Sequence, residues 1–308
     1  MKSKKFKFET TRSILSSRFV IDAELIEASP QVRIESEENS EQSLVFARFE
    51  HLLIKLFAQS QLSINFSFEK LFQMIDNNSR NLLRKIVDKD YDLSNDGFPF
   101  MACGEVTVCG GLRARLFRIS FSGELAYELA VPTRYGDALI REIMRAGKEF
   151  DIVPYGTEAL GVMRIEKGHA AGNELNGTTS ALNLGMGRMV SKKKDSVGSV
   201  LSEREGLNTQ DALKLVGFMP VNTDDPVPAG AHLMSSGSPV DAKHDQGYIT
   251  SACFSPNLNC HIGLGFLKAG DTRIGEVVRL VSPLTGQDHK VEVVSAHFVD
   301  PDGERLRA

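Results

Sequence analysis

The chain is short of cysteine, of long apolar runs and of charge of one sign. Its four cysteines (Cys103, Cys109, Cys253, Cys260) form no CxxC pair. That argues against a zinc site or a disulfide framework and for reduced thiols. No apolar run approaches the roughly 20 residues that a membrane helix needs. The net charge is −4, so no global basic field draws nucleic acid. There is no GxGxxG string, no phosphate-loop motif and no internal repeat, so no dinucleotide site is expected here. The start is basic, with Lys2, Lys4, Lys5, Lys7, Arg12 and Arg18 against Glu9. It lacks the apolar core of a secretory signal. The expected location is the cytoplasm, with the mitochondrial matrix as second choice.

What is present is ordinary globular material, 42% hydrophobic and 25% charged over 308 residues, enough for about two domains. Residues 1–42 are charge-rich and weakly patterned, with an acidic cluster at Glu35, Glu37, Glu38 and Glu41. Such a segment gains little burial to offset the entropy of ordering it. From Ser43 to Phe57, Leu44, Val45, Phe49, Leu52, Leu53 and Leu56 fall near helical spacing. Asn77 to Val87 predicts another helix. Glu105 to Leu129 is strand-like, with Leu116 to Phe121 running into the turn signal Ser122-Gly123. An amphipathic helix follows Pro132 and stops near Gly147, and a further helix covers Gly156 to Lys167. These elements predict an α+β domain over 43–195. Beyond it, at 196–308, short apolar runs separated by turn signals predict a small β-barrel. The runs are Leu215–Met219, Tyr248–Phe254, Ile262–Leu267, Val277–Val281 and Val291–Val294.

The chemistry-bearing strings lie between Arg118 and Asp195. They are Arg118-Ile-Ser-Phe-Ser-Gly-Glu-Leu-Ala-Tyr-Glu-Leu129, Tyr155-Gly-Thr-Glu158, Met163-Arg-Ile-Glu-Lys-Gly168, Gly172-Asn-Glu-Leu-Asn-Gly-Thr-Thr179 and Ser191-Lys-Lys-Lys-Asp195. In this order they resemble the folate-binding aminomethyltransferase family, which includes the glycine-cleavage T-protein. The likeness is strongest to the carboxy-terminal folate domain of heterotetrameric sarcosine oxidase alpha subunits, and it covers about 70–308. The resemblance implies a folate-binding aminomethyltransferase-like domain followed by a small C-terminal β-barrel.

It also implies tetrahydrofolate as cofactor and Glu128 as the reader of the pterin. One ionised carboxylate can accept two adjacent N–H donors, a strong charge-assisted pairing. Glu124, Tyr127, Arg164 and Glu166 join it as folate-binding candidates. Each has a bland counterpart: a solvent-facing hairpin acid for Glu124 and Glu128, core filling for Tyr127, and an ion pair for Arg164 and Glu166. Lys192, Lys193 and Lys194 are candidates for the glutamate tail, or simply a solvated charge run. The iron–sulfur-linked branch of the family has a cysteine where His169 stands, so His169 is expected to be structural. The family's N-terminal catalytic aspartate is not identifiable; Asp22 has only the right general position. No metal is expected.

The implied activity is capture of the carbon of an oxidised N-methyl amine as methylene-tetrahydrofolate, with flavin only on a partner subunit. The alternatives are a free-standing aminomethyltransferase fed by a lipoyl carrier, and a non-catalytic assembly module. No nucleic-acid or membrane partner is expected.

Overall fold

A computed structural model describes residues 69–191, 193 and 198–308. The helix expected over Ser43–Phe57, the segment 1–42, Asp22, Lys192 and Lys194 lie outside the described residues. The described residues fall into two compact units. The first holds 69–74, 80–119 and 127–150; the second holds 75–79, 120–126 and 151–308.

The first unit is built on a four-stranded sheet of order β1-β4-β3-β2, comprising β1 (Glu69–Ile75), β2 (Cys103–Val108), β3 (Leu112–Phe117) and β4 (Ala126–Pro132). Period-two alternation sorts its faces. The register sets Leu116 against Leu129 and Val106 against Ala114. Val106, Val108, Leu116, Tyr127, Leu129 and Val131 are all at most 1% exposed. The register also sets Phe117 beside Glu128 and Arg115 beside Ala130 and Glu105, so the other face is mixed. Helix α1 (Ser79–Ile86) buries Leu82, Leu83 and Ile86, and Val87 just beyond it is buried too. Helix α2 (Gly136–Ala146) buries Leu139, Ile143 and Ala146 at helical spacing. Gly147 caps it, its N–H reaching the carbonyl of Ile143.

One expected strand is shorter than its apolar pattern. The run Leu116–Phe121 leaves the sheet after Phe117. Arg118 turns inward, 1% exposed, and donates to Asn95 Oδ1 at 2.7 Å and to the Phe98 carbonyl at 2.9 Å. These bonds give the buried cation two oxygen partners on Nη1, which lowers the cost of burying it.

The second unit centres on a closed barrel of order β10-β5-β8-β7-β6-β9. Its strands are β5 (Leu213–Pro220), β6 (His232–Met234), β7 (Asp245–Ser255), β8 (Cys260–Lys268), β9 (Val277–Ser282) and β10 (Gln287–Val294). Closure removes exposed sheet edges. Five of these strands coincide with the apolar runs of the sequence. The three-residue β6 is too short to show alternation, although its Leu233 and Met234 are buried. Helix α3 (Thr157–Lys167) lies against the barrel through Ile165, which clusters with Cys260, Ile262 and Leu264. Gly168 ends it at φ +77°, and a Cβ there would come within 2.2 Å of the Ala296 carbonyl oxygen. Only glycine meets both demands.

Candidate functional site

Glu128 sits mid-way along β4 with its side chain half-buried. The N–H of Gln73, on β1, reaches its Oε1 at 3.1 Å. Directly across on β3 is Phe117, 8% exposed, and two residues along is buried Ala130. The carboxylate therefore stands in partly apolar surroundings, where charge-assisted hydrogen bonds are stronger than in water. Gln73 was not singled out from the sequence. The available signal was one polar residue inside the apolar run Leu71-Phe72-Gln73-Met74-Ile75.

Tyr127 is on the opposite face of the same strand, because successive strand side chains alternate. Its ring is fully buried. Arg80 Nε donates to its hydroxyl at 2.9 Å, and the Arg118 guanidinium lies 6.0 Å from its ring centre. Arg80 also bonds Asn95 Oδ1 at 2.6 Å. Burial lowers the Arg118 pKa from its ordinary value. Tyr127 thus anchors the core beside a pair of arginines rather than sharing a face with Glu128.

In the second unit the candidates Arg164 and Glu166 are tied into two separate polar knots. Arg164 does not pair with Glu166. It donates to Glu174 Oε2 at 3.1 Å, to Ser251 Oγ at 2.7 Å and to the His169 carbonyl at 3.3 Å. Glu174 has no exposed surface. It also accepts from the Ala171 N–H at 2.9 Å and from the hydroxyls of Thr250 and Ser251 at 2.5 and 2.6 Å. Glu174 is the acid of the Gly172–Thr179 string, and its structural weight was not visible in sequence.

Glu166, 4% exposed, accepts from Ser255 Oγ at 2.5 Å and from Asn257 Nδ2 at 2.7 Å. Its backbone carbonyl receives the N–H groups of Phe298 and Val299. Next to it, Lys167 pairs with Asp300 Oδ2 at 3.0 Å. Burial alone would raise the Asp300 carboxyl. The Lys167 ammonium and the N–H groups of Glu304 and Arg305 outweigh that and hold it below its ordinary value. Both knots join α3 to the barrel or to the segment after β10.

Glu124 lies in the loop 118–125, half-buried, paired with Arg305 at 2.9 Å. The loop is closed by Ser120, whose hydroxyl donates to the Glu124 carbonyl at 2.6 Å and accepts the Gly123 N–H at 3.0 Å. A cleft between Ser122–Glu124, Glu166, Lys167 and Asp300 has a volume of about 10 Å³, room for one water. His169 Nδ1 bonds the Phe121 carbonyl at 2.9 Å and its ring stacks on Phe121. Burial, with Lys167, His297 and Arg164 nearby, lowers its pKa despite that bond. Burial and then Glu166 push the Cys253 thiol up to about 12, so it is no nucleophile at neutral pH. Lys193 is exposed. No cluster of metal-ligating side chains occurs among the described residues. No helix among them is long and apolar enough to cross a membrane.

A mixed unit of helices on a four-stranded sheet, together with a closed six-stranded barrel, defines the class as α+β. The comparisons with known proteins agree. Residues 70–194 match the GCVT N-terminal domain, and 214–300 match the glycine cleavage T-protein C-terminal barrel domain. The chain belongs to this T-protein family, whose chemistry is folate-dependent one-carbon transfer. Sarcosine oxidase subunit alpha of Rhizobium meliloti is 44% identical over 230 residues, which is 74% of this chain and 23% of that protein. An aminomethyltransferase of Halothermothrix orenii is 29% identical over 225 residues, 70% of this chain and 58% of that one. The crystal structure of the glycine cleavage system aminomethyltransferase T from Bartonella henselae has a TM-score of 0.61 at 20% identity. It covers 82% of this chain and 66% of that one, and shows the shared fold. The chain spans about a quarter of the length of the sarcosine oxidase subunits it matches.

Proposed function

We propose that this chain handles tetrahydrofolate as part of a sarcosine oxidase alpha-type assembly, with Glu128 as the residue that reads the pterin. The observation carrying this is the state of the Glu128 carboxylate: half-buried, mid-strand, with an apolar neighbour across the ladder and a side-chain amide at one oxygen. That suits a group presenting two adjacent N–H donors, because an ionised carboxylate accepts at both oxygens. Tetrahydrofolate, when bound, supplies the nucleophilic nitrogen that takes up the one-carbon unit. The chain's own part is to bind the ring, orient it and keep water from the reacting carbon. Holding two reactants together makes the capture effectively unimolecular. A flavin on a partner subunit would supply the oxidised N-methyl amine. Glu124 is carried as a lesser contact near the ring, and Lys192, Lys193 and Lys194 as contacts for the folate tail. Arg164, Glu166 and Tyr127 act in this reading by holding the scaffold, since each is engaged by protein partners.

The test is calorimetric titration with tetrahydrofolate under anaerobic conditions. Wild type should bind, and Glu128→Gln should bind more weakly by about 1.5–3 kcal/mol, the range for a hydrogen bond to a charged group. Equal affinities would refute the assignment. A second reading, a free-standing aminomethyltransferase, draws on the 29% identity to the Halothermothrix enzyme over 58% of its length. Stimulation by a lipoyl carrier with release of ammonia would favour it over the oxidase reading.

A further inference from the structure

We propose that Lys167 is a positioning residue for the turn 120–125: it fixes where the crest of that turn sits, and so the entry of the chain into the strand that carries Glu128. The inference rests on the folate reading of Glu128 given above and adds a residue to it. The shoulders of the turn are held by hydrogen bonds. The Phe121 carbonyl meets His169 Nδ1 at 2.9 Å, and the Leu125 carbonyl accepts the Asp76 N–H at 3.0 Å and the Ser79 hydroxyl at 3.2 Å. The crest is Gly123, at φ +89°. A Cβ built there would lie 2.8 Å from Cγ and Cδ of Lys167. The backbone of Gly123 therefore rests on the lysine stem, in a contact that any side chain at this position would break.

That stem is tied at both ends. Its root is the last residue of α3, where Gly168 turns the chain. Its ammonium donates to the Asp300 backbone carbonyl and pairs with Asp300 Oδ2 at 3.0 Å, the two side chains being 7% and 9% exposed. Asp300 is itself anchored. Its carboxylate accepts the N–H groups of Glu304 at 2.9 Å and Arg305 at 3.2 Å, and just before it the N–H groups of Phe298 and Val299 reach the Glu166 carbonyl. A lysine side chain has many rotamers, so ordering it costs entropy. Here the ion pair holds the far end, and the stem becomes a strut beneath Gly123. Ser120 sets the inner shape of the turn; the strut sets its place. Leu125 leads directly into β4, in which Glu128 is the third residue. A turn already in place spares a ligand the cost of ordering it on binding.

The experiment uses the full chain carrying Lys167→Ala, Lys167→Met, Asp300→Asn, and Lys167→Met combined with Asp300→Asn. Each is read by melting curves, by hydrogen exchange over 120–125 with mass spectrometry, and by anaerobic calorimetry with tetrahydrofolate well below the melt. Lys167→Ala removes strut and tie together, so exchange over 120–125 should rise about tenfold more than over β7 and β8. Affinity for tetrahydrofolate should fall roughly three- to tenfold in protein that is still folded. Lys167→Met keeps the stem and loses the tie, so both effects should be present but smaller. Asp300→Asn should act in the same direction, and adding it to Lys167→Met should change neither readout further, because the ammonium it acts on is gone. A lysine that merely stabilised the fold would lower the melt and raise exchange in turn and strands alike, with the folded protein's affinity intact. That pattern overturns the proposal. So does additivity of Lys167→Met and Asp300→Asn, or an unchanged affinity while exchange over 120–125 rises. A wild type that binds no tetrahydrofolate refutes the folate reading instead, and exchange over 120–125 then decides alone whether Lys167 holds the turn. Should Lys167→Ala fail to fold, Lys167→Met and Asp300→Asn carry the same comparison.

Discussion

Glu128 and Glu174 are both carboxylates in the folded chain, yet their settings differ. Glu128 lies on a strand of the first unit, half-buried, with the Gln73 amide at one oxygen and an apolar ring across the ladder. Glu174 lies in the second unit with no exposed surface, and it takes N–H or O–H groups from Arg164, Ala171, Thr250 and Ser251. A carboxylate saturated by its own chain, as Glu174 is, has little capacity left for a ligand. Glu166, with Ser255 and Asn257, belongs with Glu174. The comparison sets side chains that hold the second unit together beside the one proposed above to read the pterin.

The largest expected effect lies on the saturated side. Glu174→Ala strands the Arg164 guanidinium, whose side chain is 12% exposed. Removing one partner of a buried pair typically costs about 3–5 kcal/mol. Urea denaturation should show a loss of that size, and adding Arg164→Met should recover part of it, because the stranded charge goes too. A loss below about 1 kcal/mol would mean the pair is effectively solvated. Next comes Glu166→Gln, which puts an amide N–H where Ser255 or Asn257 donates. It should cost about 1–3 kcal/mol of stability and leave the folded protein's affinity for tetrahydrofolate unchanged. Reduced affinity in a variant that is still fully folded would move Glu166 to the ligand-reading side.

The architecture was largely legible from the sequence; the division of labour among the acids was not. Short apolar runs bounded by turn signals revealed five barrel strands because each is at least six residues long. The three-residue β6 carries no period to detect. The strand ends at Phe117, and the next residue, Arg118, finds side-chain partners at Asn95 and Phe98, which local pattern does not encode. The Arg164–Glu174 and Glu166–Ser255 contacts join residues 10 and 89 apart in sequence, and spacing rules reach only a few residues along a helix. Likewise Gln73 and Glu128 are 55 residues apart. Tyr127 and Glu128 are adjacent in sequence, but the pleat sends them to opposite faces.

A smaller effect should appear with pH. Burial depresses the His169 pKa below its ordinary value. A histidine with a lowered folded pKa binds fewer protons folded than unfolded. Its contribution is therefore fully present above the unfolded value, near pH 6.5. Stability should fall as pH drops from there toward the depressed folded value. His169→Gln should flatten that part of the stability–pH curve relative to wild type. An unchanged slope would show that the ring is solvated in the folded protein.

The smallest expected effect tests whether Glu124 belongs with the structural acids or with Glu128. Its carboxylate meets Arg305 at 2.9 Å, with side chains 29% and 46% exposed. An exposed pair of this kind is worth about 0.2–1 kcal/mol, because solvent screens it and two long side chains must be held still. Arg305→Ala should therefore shift the denaturation midpoint only slightly, and less at high salt than at low salt. The loop around Glu124 should keep its shape, since Ser120 closes it through the Glu124 carbonyl and the Gly123 N–H without help from Arg305. If Glu124 only decorates that loop, tetrahydrofolate affinity will be the same in Arg305→Ala and wild type. If Glu124 contacts the ligand, freeing its carboxylate from Arg305 will change the affinity while stability barely moves. Calorimetry beside a denaturation curve on this one variant reads both quantities, and a change in the first without the second would place Glu124 with Glu128.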